Sequence, residues 1–312
     1  EQTLSVPSKI RNINELNMAE EKKDTAPDIP PTDILYLSYE GNFALTCDAT
    51  VLSCESKPIQ GKSDKVTEHE VNIVLDRTVM YAKGGGQPSD VGKIIPAQFF
   101  PPDDTAAVVA EISTVSLDRA SGIASHVGTV ADTVSPAKDF SPGTAVKILV
   151  SPDLRHIHSE CQTAGHVVDS VMDRIGLGLR PIKGYHFLDS PYVEYKGKIE
   201  ENERADVLEK MKVAFRDLVN EDIKTTIDNL PVDEAEAECN RLSQNFDFTE
   251  YRKSSNLEVR IVRVAGWPVP CGGTHVRSTG VLKQNGWGIT GLRCKKGVVR
   301  VKYNRGCDNE QK

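Results

Sequence analysis

No stretch of the 312-residue chain approaches the roughly eighteen consecutive apolar residues of a membrane-spanning helix, which argues against a membrane protein of that kind. Residues 1–30 are polar and lack the apolar segment of a secretory signal. Cysteine is sparse and irregularly spaced: seven residues, at 47, 54, 161, 239, 271, 294 and 307. An odd number at such spacing argues against a disulfide framework. It fits reduced thiols in a cytoplasmic setting, with one of them available as a metal ligand. A chain this long buries enough surface to fold without covalent staples. Positive charge is also lacking overall, since the formal net charge is −7, and this removes any global case for nucleic-acid binding. There is no internal repeat. A hydrophobic content of 38% and a mean hydropathy of −0.37 fit a soluble globular protein of about two domains.

The charge that is present is unevenly placed. Nine basic residues lie between Val276 and Lys312 against two acids, Asp308 and Glu310, so this tail carries +7. A local basic stripe can hold phosphates even on an acidic protein, and it can also be an ordinary solvated strand pair.

Residues 1–32 read as a polar, flexible lead-in ending in "APDIPP". Residues 33–150 are strand-like: "DILYLSYEG", "FALTCDATVLSC", "HEVNIVLDRTVMYA", "AAVVAEISTVS" and "TAVKILV" are short, rich in β-branched residues and set apart by turn formers. Their spacing predicts a small β-barrel. The period changes at Ser151, a cap residue followed by Pro152. Cys161, Ala164, Val168, Val171, Met172 and Ile175 then recur at helical spacing, and Gly176 and Gly178 end the run. A second helix in "ENERADVLEKMKVAFRDLVNED", a short third in "VDEAEAECNRL" and late strands in "LEVRIVRVAG", "WGITGLRCKKG" and "VVRVKYNRG" make residues 151–312 an α+β domain.

Three places carry possible chemistry. In "PCGGTHV", Cys271 and His275 form a C-x3-H pair whose glycines allow a sharp turn, so that thiolate and imidazole point at one centre. The same residues fit a glycine turn beside a buried cysteine and a surface histidine. On the first helix, Gln162 and His166 are four apart and share a face. His158 lies on that stripe but about 12 Å from His166, too far to join it at one ion, and His156 is off the stripe. In "YAKGGGQPSDVG" the glycines Gly84, Gly85 and Gly86 leave the backbone bare for a ligand. No Lys-Ser/Thr follows, so this is not a nucleotide P-loop, and a hairpin turn is the plain alternative.

In this order, "GGGQPSD", "QTAGHVVDSVM", "KGYHFLDSPYVEYKG" and "PCGGTHVRSTG" resemble the AlaX-like free-standing alanyl-tRNA editing proteins, relatives of the editing domain of alanyl-tRNA synthetase, over roughly residues 33–306. The resemblance implies an α+β chain with an N-terminal β-barrel carrying the glycine loop and a C-terminal editing domain. It implies one Zn2+, held at the positions of Gln162, His166, Cys271 and His275. This chain departs from the family at Gln162, where the family's H-x-x-x-H pattern has histidine, leaving three strong ligands. The implied reaction is hydrolysis of seryl- or glycyl-tRNA(Ala). Gln87 and Gln162 would serve catalysis, and Gly84, Gly85, Gly86, Gln87 and Thr274 would line the substrate pocket. His186 and Asp189 would line the pocket or pack. The acceptor end of tRNA(Ala) is the implied partner, its stem along the basic stripe near Lys183, Lys283 and Arg293. A non-catalytic tRNA-binding or adaptor relative that has lost full coordination at Gln162 is the alternative.

Overall fold

The computed structural model describes residues 29–61, 66–100, 108–241, 246–253 and 257–307. The lead-in up to residue 28 and the final acids and lysine of the basic tail lie outside them. Six strands close into an antiparallel barrel: β1 (Thr46–Gln60), β2 (Val66–Leu75), β3 (Gly92–Pro96), β4 (Ala110–Leu117), β5 (Ala124–Ala131) and β6 (Ala145–Val150). Their order is β1-β2-β5-β4-β3-β6, and β6 returns to pair with β1. Closure leaves no free sheet edge. Val51, Ile73, Leu75, Ile94, Ile112 and Ile148 fill the interior.

The segment "DILYLSYEG", expected as a strand, is not one. After the two-residue bridge Asp33–Ile34 it forms a 3-10 turn and then a one-turn helix, Tyr39–Phe43. Ser38 is the cause: its Oγ accepts the Gly41 N–H at 3.0 Å and caps the helix, which draws the chain out of the extended form. β3 and β5 were not anticipated. The buried positions of β5 are Ala124, His126, Gly128 and Val130, so its alternation is real but not hydrophobic. Gly128 is required there, because a Cβ would stand 2.0 Å from the Glu111 carbonyl oxygen on the neighbouring strand.

The chain then enters α1 (Pro152–Arg174), as the periodicity predicts. Ser151 occupies the cap position without a side-chain cap bond, and Gly176, at φ +75°, follows the helix end. Next come β7 (Arg180–Tyr185), β8 (Tyr192–Lys196), α2 (Arg204–Asn220), β9 (Thr226–Pro231), α3 (Val232–Arg241), β10 (Glu258–Val264), β11 (Trp267–Pro270), β12 (Gly288–Lys295) and β13 (Val298–Asn304). One antiparallel sheet runs β12-β13-β8-β7 and another β9-β10-β11. The apolar stripe of α1 packs with Met211, Phe215 and Leu218 of α2 and with Val193, Tyr195, Val299, Val301 and Tyr303 of the larger sheet. The architecture is thus mixed α+β with a closed barrel. Among the described residues, no helix is long and apolar enough to cross a membrane.

One buried ion pair ties the glycine loop to α1. Arg155 sits in the first turn of α1, and its Nε donates to both carboxylate oxygens of Asp90 at 3.0 Å. Its Nη groups donate to the carbonyls of Val79 (2.7 Å) and Ala44 (3.2 Å). A buried guanidinium is tolerated only when its donors are used in this way.

Candidate metal centre

α1 places Gln162 and His166 one turn apart, and the segment after β11 brings Cys271 and His275 against them. The donor atoms of His166, Cys271 and His275 all lie within 4.8 Å of one another. Cys271 Sγ is 3.5 Å from His275 Nε2, and the Gln162 amide nitrogen is 3.4 Å from both Cys271 Sγ and His166 Nε2. Ligands about 2.0–2.3 Å from a tetrahedral zinc stand about 3.3–3.8 Å from each other; the Cys271–His275 pair has that spacing, and His166 stands within 4.8 Å of both. Gln162 is the weak member. Its amide nitrogen faces the sulfur, while its Oε1 is buried with no hydrogen-bond partner. Turning the amide over presents the oxygen instead. Two imidazoles and a thiolate, with one weak oxygen donor or an open fourth position, fit zinc.

The electrostatics agree. Burial opposes a thiolate at Cys271, but His166 and His275 beside it hold its pKa well below the usual thiol value. Burial also works against a charged His166, yet Cys271 raises its pKa. Burial pushes His275 down to about 4, so its ring is neutral at neutral pH.

Two neighbours complete the centre. Asp169 was not identified from sequence. Its Oδ1 accepts the Tyr195 hydroxyl at 2.6 Å, and its Oδ2 lies 3.7 Å from His166 Nδ1, a buried nitrogen without a hydrogen-bond partner. A carboxylate that hydrogen-bonds an imidazole fixes which ring nitrogen faces a metal, and an approach of under about 1 Å would bring Asp169 to that distance from His166. Burial pushes Asp169 up to about 6. Its only sequence signal is its place three residues after His166 on the helix. His186 is not a member of the ligand cluster. Its ring stacks on His166 at 6.2 Å, and its Nδ1 is 2.5 Å from the Tyr303 hydroxyl. It fits because Gly165 and Gly184 lack side chains: a Cβ at either would come within 2.4 Å of the ring.

The glycine loop is a tight turn. Gly84 and Gln87 exchange backbone hydrogen bonds of 3.3 and 2.8 Å across Gly85 and Gly86, which take φ of +52° and +80°. The turn docks on β7, where the Gly86 carbonyl accepts the His186 N–H at 2.8 Å and a Cβ on Gly86 would strike the Gly184 carbonyl. The turn is closed by an isolated bridge between Gly84 and Gln87, not by a pair of strands, and Gly84 and Gly85 line a cavity. Gln87 does not face that cavity. It is fully buried, its Nε2 donates to Thr274 Oγ1 at 2.9 Å, and its Oε1 accepts the Thr274 N–H at 3.0 Å. Asn42 treats the next residue the same way, accepting the His275 N–H at 3.0 Å and donating to the His275 carbonyl at 2.9 Å. Neither Gly272 nor Gly273 adopts a left-handed conformation, although the chain bends at Gly273 between the two converging ligands. Gly273 is needed for a different reason: a Cβ there would stand 2.9 Å from the Gln162 amide.

The cavity has a volume of about 500 Å³ and opens over the centre. Gln162, His166, Asp169 and Cys271 form one part of its lining, with Lys83, Lys183 and His186 among the rest. Thr274 and His275 lie behind it, fully enclosed. Lys183 is at the cavity, while Lys283 and Arg293 are not. No disulfide links the cysteines of the described residues.

No family model matches the chain. It is 30% identical over 233 residues to the alanyl-tRNA editing protein AlaX-M of Methanosarcina barkeri, covering 74% of this chain and 88% of that protein. It is 29% identical over 260 residues to AlaX-M of Methanosarcina mazei, covering 81% and 92%. The alanine–tRNA ligase of Methanococcus maripaludis is 26% identical over 243 residues, which is 76% of this chain but 24% of the ligase. The barrel with its glycine turn, the His/Cys/His centre and a likeness that spans nearly the whole of the AlaX-M proteins lead to one assignment: the chain belongs to the AlaX family of alanyl-tRNA editing proteins.

Proposed function

We propose that this protein hydrolyses the ester joining a wrong amino acid, serine or glycine, to the 3′-terminal adenosine of alanine tRNA, and that it holds zinc through His166, Cys271 and His275. The observation that supports this reading is a cysteine and two imidazoles gathered at one centre, of which His166 and Cys271 line an open cavity and His275 lies behind them, in a chain of this family. Zinc held by His166, Cys271 and His275 would supply Lewis acidity at the cavity. The remaining work falls to the chain. The ester is already activated, so positioning and stabilisation of the developing negative charge suffice. Gln162 presents its amide to the attacking water or the carbonyl oxygen. Asp169 keeps the His166 ring in register. Gly84 and Gly85 form the open rim for the terminal adenosine, while Gly86, Gln87 and Thr274 act from behind by holding the rim and the ligand segment together. A wall with Gln162, Asp169 and His186 suits the serine hydroxyl, and a site that hydrogen-bonds it discriminates against alanine, which has none; glycine, also without one, would enter only by being smaller than alanine. Unbridged cysteines fit work in the cytoplasm.

The test is a deacylation assay with seryl-, glycyl- and alanyl-tRNA(Ala), run beside metal analysis. The expected result is turnover of seryl- or glycyl-tRNA with alanyl-tRNA spared, one zinc per chain, and loss of both metal and turnover in Cys271→Ala. Absence of turnover on every misacylated tRNA with zinc supplied defeats the proposal and leaves a tRNA-binding relative as the better reading.

A further inference from the structure

The larger sheet turns one face to α1 and α2 and the other to solvent. On the buried side are Val193, Tyr195, Val299, Val301 and Tyr303. Strand register sorts the outer face into three cross-strand rows. Tyr185, Tyr192, Lys302 and Gly291 make the first. Lys183, Glu194, Arg300 and Arg293 make the second, and Arg180, Lys196, Val298 and Lys295 the third. One acid thus stands among seven basic side chains on a protein whose net charge is −7. Glu194 is engaged by Arg300 at 2.6 Å.

Like charges directly opposite each other across strands are destabilising. This face contains two such pairs, Arg293 with Arg300 and Arg180 with Lys196. Folding alone gives no reason for them, whereas a polyanion lying across the rows does. The first row adds a second feature. Phe187, Tyr185 and Tyr192 stack in series, with centroids 4.8 and 5.3 Å apart. Lys83 stands 5.9 Å from the Phe187 ring, and Lys183 and Arg300 stand 5.8 and 4.0 Å from the Tyr192 ring. Lys83 and Lys183 also line the cavity, so the ring ladder joins the cavity mouth to the basic rows.

We infer that the outer face of β7, β8, β13 and β12 is an RNA-docking surface, on which the phosphates of the acceptor stem lie over Arg293, Lys295 and Lys302 while the unpaired 3′ end passes the aromatic ladder into the cavity. Basic side chains supply sequence-independent attraction to phosphates, and aromatic faces accept unpaired bases by stacking. This rests on the proposed deacylase reading for its choice of RNA, but its binding arm can be tested without turnover.

The experiment measures binding of unacylated tRNA(Ala) by the full chain from 50 to 200 mM salt, for the wild type, for Arg293→Glu/Lys295→Glu/Lys302→Glu, and for Lys210→Glu on the outer face of α2 as a charge control. The corresponding triple Gln variant is carried in parallel, and each protein's melting temperature is checked. The triple variants should bind at least about tenfold more weakly at 50 mM, with a log–log salt slope flatter by about 2–3, while Lys210→Glu behaves as wild type. With seryl-tRNA the KM should rise and kcat hold, and the loss should be absent with seryl-adenosine, which has no stem. Unchanged affinity and slope in folded triple variants overturn the docking surface, as does equally tight, equally variant-sensitive binding to phosphatidylserine vesicles. A wild type that binds tRNA through this face yet hydrolyses neither ester defeats the deacylase reading alone.

Discussion

A methyl group added at Gly273 would stand 2.9 Å from the Gln162 amide, while one added at Gly272 would meet nothing within 4 Å. The two glycines are adjacent in sequence and differ entirely in what they allow. Gly273→Ala has to displace the end of a flexible side chain, so the cost falls on the position of Gln162 rather than on the fold. The expected outcome is zinc affinity lower by about tenfold or more in Gly273→Ala, with Gly272→Ala at wild-type affinity and both melting normally, as read by competition with a coloured chelator. Equal affinities in the two variants would show that Gln162 does not contribute to the centre.

At the scale of elements, the glycine turn between β2 and β3 is a clamp. Gln87 satisfies the buried Thr274 N–H, and Gln87→Ala leaves that donor orphaned at a cost of about 1–3 kcal/mol. It should also loosen the ligand segment, so the variant is expected to lose zinc at a chelator concentration the wild type resists, as well as stability in urea. Much of this site was legible beforehand. The i, i+4 spacing on a strongly periodic helix located Gln162 and His166, and C-x3-H located their partners. What stayed hidden follows from geometry. Asp169 reads as one more polar residue on a helix until Tyr195 closes over it. Asn42 lies 233 residues from the peptide group it clasps, and no local pattern encodes such a pairing. Strands β3 and β5 escaped because β3 is short and because β5 uses alanine, histidine and glycine at buried positions, where alternation is steric rather than hydrophobic.

For the molecule as a whole, the barrel contains its own acid sensitivity. His126 is fully enclosed, with Nδ1 donating to the Ile73 carbonyl at 3.0 Å and Nε2 accepting from the Thr78 hydroxyl at 2.9 Å. The Thr78 oxygen in turn accepts the Met80 N–H, so a second ring proton would turn the Thr78 hydroxyl hydrogen away from the only acceptor this network gives it. Burial pushes His126 down to about 4. Because the folded value lies below the ordinary one near 6.5, the unfolded chain takes up the proton first as pH falls. Stability from this group is complete above about pH 6.5 and declines towards pH 4, by about 3 kcal/mol in all. Urea midpoints across that window should fall less steeply in His126→Gln than in wild type. Parallel acid limbs would place the sensitivity elsewhere.

Asn42 and Gln87 reach from one half of the chain to successive peptide groups in the other, so the ligands and the residues that align them are encoded 187 and 233 positions apart. A recombination event that exchanged the barrel for a foreign one would keep His166, Cys271 and His275 and discard their alignment. The site is therefore a property of two matched halves, not a motif that one half can carry away.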